Sequence, residues 1–148
     1  MDDAAQALQR AAAFDPQPPR WSMAWFTGQV HAQRGELDPA ITNYRSILED
    51  RYQELEDRDF DFSKDYVVIN ELGQTYYLRS KLERGRPEAE NQFLDLAINQ
   101  FQKALELDSE NQTAHYNLSL IYGELGKEDL AEHHREAHER YRFDDNAR

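Results

Sequence analysis

Apolar residues recur along this chain at three- and four-residue intervals, and Gly or Pro interrupts the recurrence at a few points. That spacing places one apolar stripe along a helix. It predicts seven helices, over residues 2–14, 21–34, 38–57, 64–84, 87–107, 111–125 and 127–141. Gly35 and Gly126 fall where a helix should end, and glycine adopts the left-handed cap conformation at little steric cost. Pro39 and Pro87 fall in first turns, where a missing N–H costs nothing. Gly85 and Pro87 together predict a turn between the fourth and fifth helices.

The stripes also repeat. Ile69, Leu72, Gly73 and Tyr76 are followed by Ala97, Phe101, Ala104 and Leu105. A similar order runs through His115, Leu118, Ser119, Tyr122, Gly126 and Ala131, and a looser one through Gly28, His31, Gly35, Ala40, Tyr44, Ile47 and Leu48. The small residue of one helix precedes that of the next by 12 positions from Gly28 to Ala40 and from Ser119 to Ala131, but by 24 from Gly73 to Ala97. Close approach of two antiparallel helices needs small side chains at the crossing, so Gly28 is expected against Ala40 and Ser119 against Ala131. The 12 extra residues of the middle copy keep apolar positions at helical spacing: Leu78, Leu82, Ala89, Phe93 and Leu94. They predict a lengthened helical hairpin rather than a loop.

Composition narrows the functions open to such a chain. Across 148 residues, 39% are hydrophobic and 31% charged, enough for one domain with a core and too apolar for a disordered tail. No apolar run reaches the roughly 20 residues that cross a bilayer, and no basic stretch followed by an apolar core marks a signal peptide, so no membrane insertion is expected and the compartment stays open. Zero cysteines remove disulfides, thiol catalysis, zinc–thiolate sites and covalent haem attachment. A net charge of −12 argues against nucleic acid, whose phosphates need clustered Lys and Arg, and favours a basic or neutral partner.

The repeated helix pairs, carried by Leu72-Gly73, Tyr76, Ala97, Phe101, Leu118-Ser119, Tyr122 and Ala131, resemble the tetratricopeptide repeat, a helix–turn–helix of about 34 residues. The position this family gives to Trp holds Ala24, Ile69 and His115 here. The resemblance implies an all-α, right-handed solenoid of antiparallel helix pairs with one lengthened hairpin. The whole chain would be a single domain: residues 1–18 as the second helix of a truncated repeat, then repeats at 21–57, 63–108 and 111–142. It also implies a protein-interaction scaffold that grips a peptide or protein segment on a concave groove, lined by the first helix of each repeat. Residues beside the packing positions would line it: Trp25, Gln29, Asn70, Gln74, Tyr77 and Tyr116. Chaperone-binding relatives clamp a carboxylate there with Lys and Arg, whereas Trp25, Gln29, Asn70 and Thr113 stand here, so an acidic tail is not the expected ligand.

Two irregularities bear on that reading. Gly28 to Gly73 is 45 positions, and the surplus falls in residues 54–65. Asp57, Asp59 and Asp61 alternate there as in a calcium loop, yet Phe62 and Val68 occupy the places where that loop needs Gly and Glu. An acidic turn, with Phe60 and Phe62 tucked onto helices and Ser63 or Asp61 as a cap, is the plainer expectation. Residues 2–14 read as a repeat's second helix without its first. That predicts a longer parent protein, with other domains of the parent or self-association at uncapped ends as possible contacts. The segments "VVINELGQTYY", "HYNLSLIYGELG" and "HERYRFDDNAR" are similar to repeat regions of some bacterial multihaem c-type cytochromes, which implies an accessory docking domain as the alternative role.

Chemistry is sparse. The sequence holds no phosphate-binding glycine loop, nucleophile elbow or HExxH motif, so no catalytic residue or cofactor is expected. His134 and His138, four apart, share a helix face that could hold a divalent metal, but a stable site needs further ligands. The alternative packs these imidazoles against the preceding helix or leaves them in solvent, and no metal site is assigned.

Overall fold

A computed structural model of the chain describes residues 4–7, 20–49 and 66–147, and the described residues form α-helices and the turns that join them. After a helical stretch at residues 4–7 come α1 (Arg20–Gln33), α2 (Leu37–Glu49), α3 (Tyr66–Lys81), α4 (Pro87–Leu107), α5 (Gln112–Glu124) and α6 (Glu128–Ala147). Asp57, Asp59 and Asp61, the neighbouring Phe60, Phe62 and Ser63, and most of the first predicted helix lie outside the described residues. The chain divides into two compact units, residues 1–68 and 69–148.

In the first unit α1 and α2 pair through a turn that the sequence dictates. Gly35 sits at φ 77°, Glu36 N–H bonds back to the His31 carbonyl at 2.9 Å and Gly35 N–H to the Ala32 carbonyl at 3.1 Å. These are the two bonds of a Schellman cap, which needs a left-handed residue. The same cap recurs in the second unit between α5 and α6. There Gly126 has φ 76°, Lys127 N–H bonds to Tyr122 at 2.9 Å and Gly126 N–H to Gly123 at 3.1 Å.

At the first helix crossing Gly28 makes room for the ring of Tyr44, one turn beyond Ala40 along α2. A methyl group on Gly28 would lie 2.7 Å from Tyr44 Cε1, and one on Gly73 would lie 2.8 Å from Phe101 Cζ. The last pair has no ring at the matching place. Arg135 stands one turn beyond Ala131, and there the first helix carries Ser119 rather than glycine. Glycine is thus used where the second helix brings an aromatic ring against backbone. Gly123, by contrast, is helical with nothing within 4 Å of an added methyl. Gly123→Ala is therefore expected to raise stability by about 0.5–1 kcal/mol through helix propensity alone. A higher urea midpoint with an unchanged slope would show it.

The second unit contains the lengthened hairpin. Helix α4 runs 21 residues, against 13 each for α2 and α5. Pro87 starts it, and Glu88 and Glu90 in its first turn complement the positive end of the helix dipole. Helix α3 stops at Lys81, short of the predicted residue 84, because its backbone tightens: Leu82 and Glu83 donate to Arg79 and Ser80 at 3.1 and 3.0 Å. The tip is packed by part of the apolar stripe, on the α4 side, together with Tyr76 and Arg79 of α3. Leu78 and Leu82 face solvent, while Leu94 is buried and Ala89 and Phe93 are partly covered. Tyr76 lies 6.5 Å from Phe93 ring to ring, and the Arg79 guanidinium covers Phe93 at 4.6 Å. Arg79 also meets Glu83 at 2.8 Å. Helix geometry explains the shift, since Leu78 sits about 200° around the helix from Tyr76.

Candidate interaction surfaces

Trp25 and Gln29 lie on one face of α1. With Phe26, Val30 and Gln33 from the same helix and Ala4 and Ala7 from the first helical stretch, they line an open cleft of about 450 Å³. Its wall is nearly all carbon, with two amides at the rim. Phe26 is 55% exposed. Trp25 is half-buried, its ring 5.6 Å from that of Tyr44, and Gln29 donates a 2.9 Å hydrogen bond to the Tyr44 hydroxyl. Both residues therefore brace the α1–α2 pair from behind while presenting an edge to the cleft. Phe26 and Gln33 were missed because groove positions were counted from the packing residues. Their spacing with Val30, i, i+4 and i+7, carried the signal.

The second unit treats its expected groove residues unequally. Asn70 and Tyr77 were expected at an exposed groove; they are 7% and 6% exposed. The Asn70 amide donates to Asn111 Oδ1 at 3.0 Å, and that oxygen also caps α5 by accepting from Ala114 N–H at 2.9 Å. Tyr77 donates its hydroxyl to Glu124 at 2.8 Å, with the Lys81 ammonium 4.6 Å over its ring. Burial and the Glu124 carboxylate hold the Tyr77 phenol well above its ordinary range, so it stays a neutral donor. These two residues join α3 to α5 across consecutive repeats, which is why they are covered. Gln74 is half-buried between them along α3. Tyr116 does remain open, 48% exposed, with Leu120 exposed one turn on. The Tyr116 ring lies 5.2 Å from His138 on α6.

His134 and His138 of α6 pack on the preceding helix, α5, while His133 is exposed. His134 meets His115 of α5, Nδ1 to Nδ1 at 2.9 Å, and stacks on Tyr122 at 5.6 Å. The i, i+4 spacing of His134 and His138 drew notice in the sequence, whereas the true neighbour, 19 positions back, is set by the helix pairing. Among the described residues no three metal-ligating side chains converge. Among them too, no helix is long and apolar enough to cross a membrane.

Comparison with known families agrees with the hairpin architecture. A family model described as "Tetratricopeptide repeat" matches residues 1–55, and one described as "TPR repeat" matches residues 88–126. No curated protein matches the chain. The narrower likeness to multihaem cytochromes gains no support from either match. Residues 56–87, between the matched segments, contain α3 and the turn of the lengthened hairpin.

Proposed function

From its tetratricopeptide-type repeats, units that generally mediate protein–protein interaction, we propose that this protein is an interaction scaffold whose anchoring site is the α1 cleft. The cleft carries the proposal: about 450 Å³ lies in the range of sites that take one large side chain or a small ligand. Phe26 and the edge of Trp25 offer the apolar and aromatic surface on which interface hot spots are built. Gln29 and Gln33 at the rim can hydrogen-bond the backbone of an extended segment. The partner is a protein or peptide inserting an apolar side chain, with basic or neutral flanks to suit a net charge of −12. The exposed Tyr116 and Leu120 give α5 a second, separate contact face.

A displayed random-peptide library selected on the intact protein tests this. Enriched peptides should carry a large apolar residue, and their binding should weaken with salt where the flanks are basic. Phe26→Ser changes an exposed side chain, so stability should move by less than about 0.5 kcal/mol, while binding should fall about 30-fold, the equivalent of a 2 kcal/mol anchor. Enriched binders indifferent to Phe26→Ser would remove the cleft as the anchoring site.

A further inference from the structure

We propose that the buried His115–His134 bridge is an acid-sensitive latch that holds α6 onto α5 near neutral pH and releases it on acidification, whatever the molecule binds. Both residues are buried, at 5% and 9% exposure. The bridge has a proton count that the surroundings fix. His115 Nε2 lies 2.9 Å from the Ser109 carbonyl, which can only accept, so that nitrogen carries hydrogen. A neutral His115 then has a bare Nδ1. The facing nitrogen, His134 Nδ1 at 2.9 Å, must donate, which leaves His134 Nε2 bare. The pair is locked in opposite tautomers by one backbone carbonyl.

One further proton can be taken without breaking the bridge, either at His134 Nε2 or by reversing the shared hydrogen. A second cannot, because two N–H groups would then face each other. The neighbours give little help to positive charge. On α5 these are the Tyr122 ring; on α6 they are His133, His138 and the Tyr141 ring, which lies 5.6 Å from His115. Arg140, beside Tyr141, adds a cation. The Ser109 carbonyl and, more weakly, Asp108 before α5 favour protonation of His115, and burial outweighs both. Helix α4 contributes the neutral Gln102 amide, bonded to the Tyr122 hydroxyl. Burial accordingly lowers His115 below its ordinary value, and burial with the His115 and His133 charges brings His134 down to about 4.

The sign follows from these directions. Opened, both imidazoles regain an ordinary value near 6.5 and take up protons that the closed pair refuses. Closure is therefore fully favoured above about pH 6.5 and is weakened as pH falls from there towards 4. For the His134 proton alone, opening should become about 20-fold more frequent between pH 7 and pH 5.

Two measurements on the intact protein decide the matter. Imidazole nitrogen spectra near pH 7 should show His115 protonated on Nε2 and His134 on Nδ1, with neither titrating at the ordinary value while the hairpin is closed. Amide exchange in α6, referenced at each pH to α4, should show the excess opening on going from pH 7 to pH 5. The His134→Gln variant can still donate to His115 Nδ1 but cannot titrate, and should lose about tenfold or more of that rise. The opposite tautomers, ordinary titration of both rings, equal losses in α4 and α6, or a full rise in His134→Gln would each overturn the latch. Should that variant not fold, the imidazole spectra of the wild-type protein decide alone.

Discussion

Phe101→Ala is expected to lower the unfolding free energy by about 3–5 kcal/mol, read as a fall in the urea midpoint. The ring is fully buried in α4 and lies flat against the backbone of Gly73 in α3, with ring carbons 2.8–3.1 Å from where a Gly73 side chain would begin. Truncation removes the burial of the ring and opens a cavity beside the Gly73 backbone. The companion change makes the test specific. Gly73→Ala in the otherwise native protein should destabilise by about 1–3 kcal/mol, because the added methyl strikes the ring. In the Phe101→Ala background the obstacle is gone. The same methyl should then be neutral or stabilising, by up to about 1 kcal/mol of helix propensity. The two substitutions are thus expected to be strongly non-additive. Simple additivity would mean that the glycine serves something other than the ring.

Asn111→Ala should remove about 2–4 kcal/mol, a large loss for a single amide at the start of a helix. Its side-chain oxygen does two jobs, accepting from Ala114 N–H within α5 and from the Asn70 amide of α3. Loss of the first alone is a lost N-cap, about 0.5–2 kcal/mol. Loss of the second strands a buried amide whose own oxygen has no partner among the described residues, adding about 1–3 kcal/mol. Asn111→Asp retains an acceptor for both donors and adds charge favoured at a helix N-terminus, so it should recover most of the loss. Asn70→Leu offers the complementary check. It deletes the polar group together with its need for a partner, and should cost clearly less than Asn111→Ala. Equal losses in Asn111→Ala and Asn70→Leu would show that the inter-repeat bond, rather than the stranded amide, dominates.

Local signals fixed the elements. Apolar spacing set the helices, Gly35 and Gly126 set two identical turns, and the doubled interval from Gly73 to Ala97 set the lengthened hairpin, because each follows from backbone preference or from one helix's own period. Which side chains meet between helices depends on rotation and axial offset, and neither is written in a single stripe. Spacing therefore named Ala40 as the neighbour of Gly28, and only packing brought the Tyr44 ring against it. Spacing also placed Leu78 and Leu82 on the covered face of the tip beside Phe93, where the structure instead brings Tyr76 and Arg79 onto the Phe93 ring. The candidate surface divides in the same way. Trp25 and Gln29 could be placed on one face of α1 from helical geometry alone. The burial of Asn70 and Tyr77 required the neighbouring first helix, α5, to supply Asn111 and Glu124. The bridge between His115 and His134 joins residues that share no local pattern, so only the pairing of α5 with α6 brings the two rings within one proton of each other.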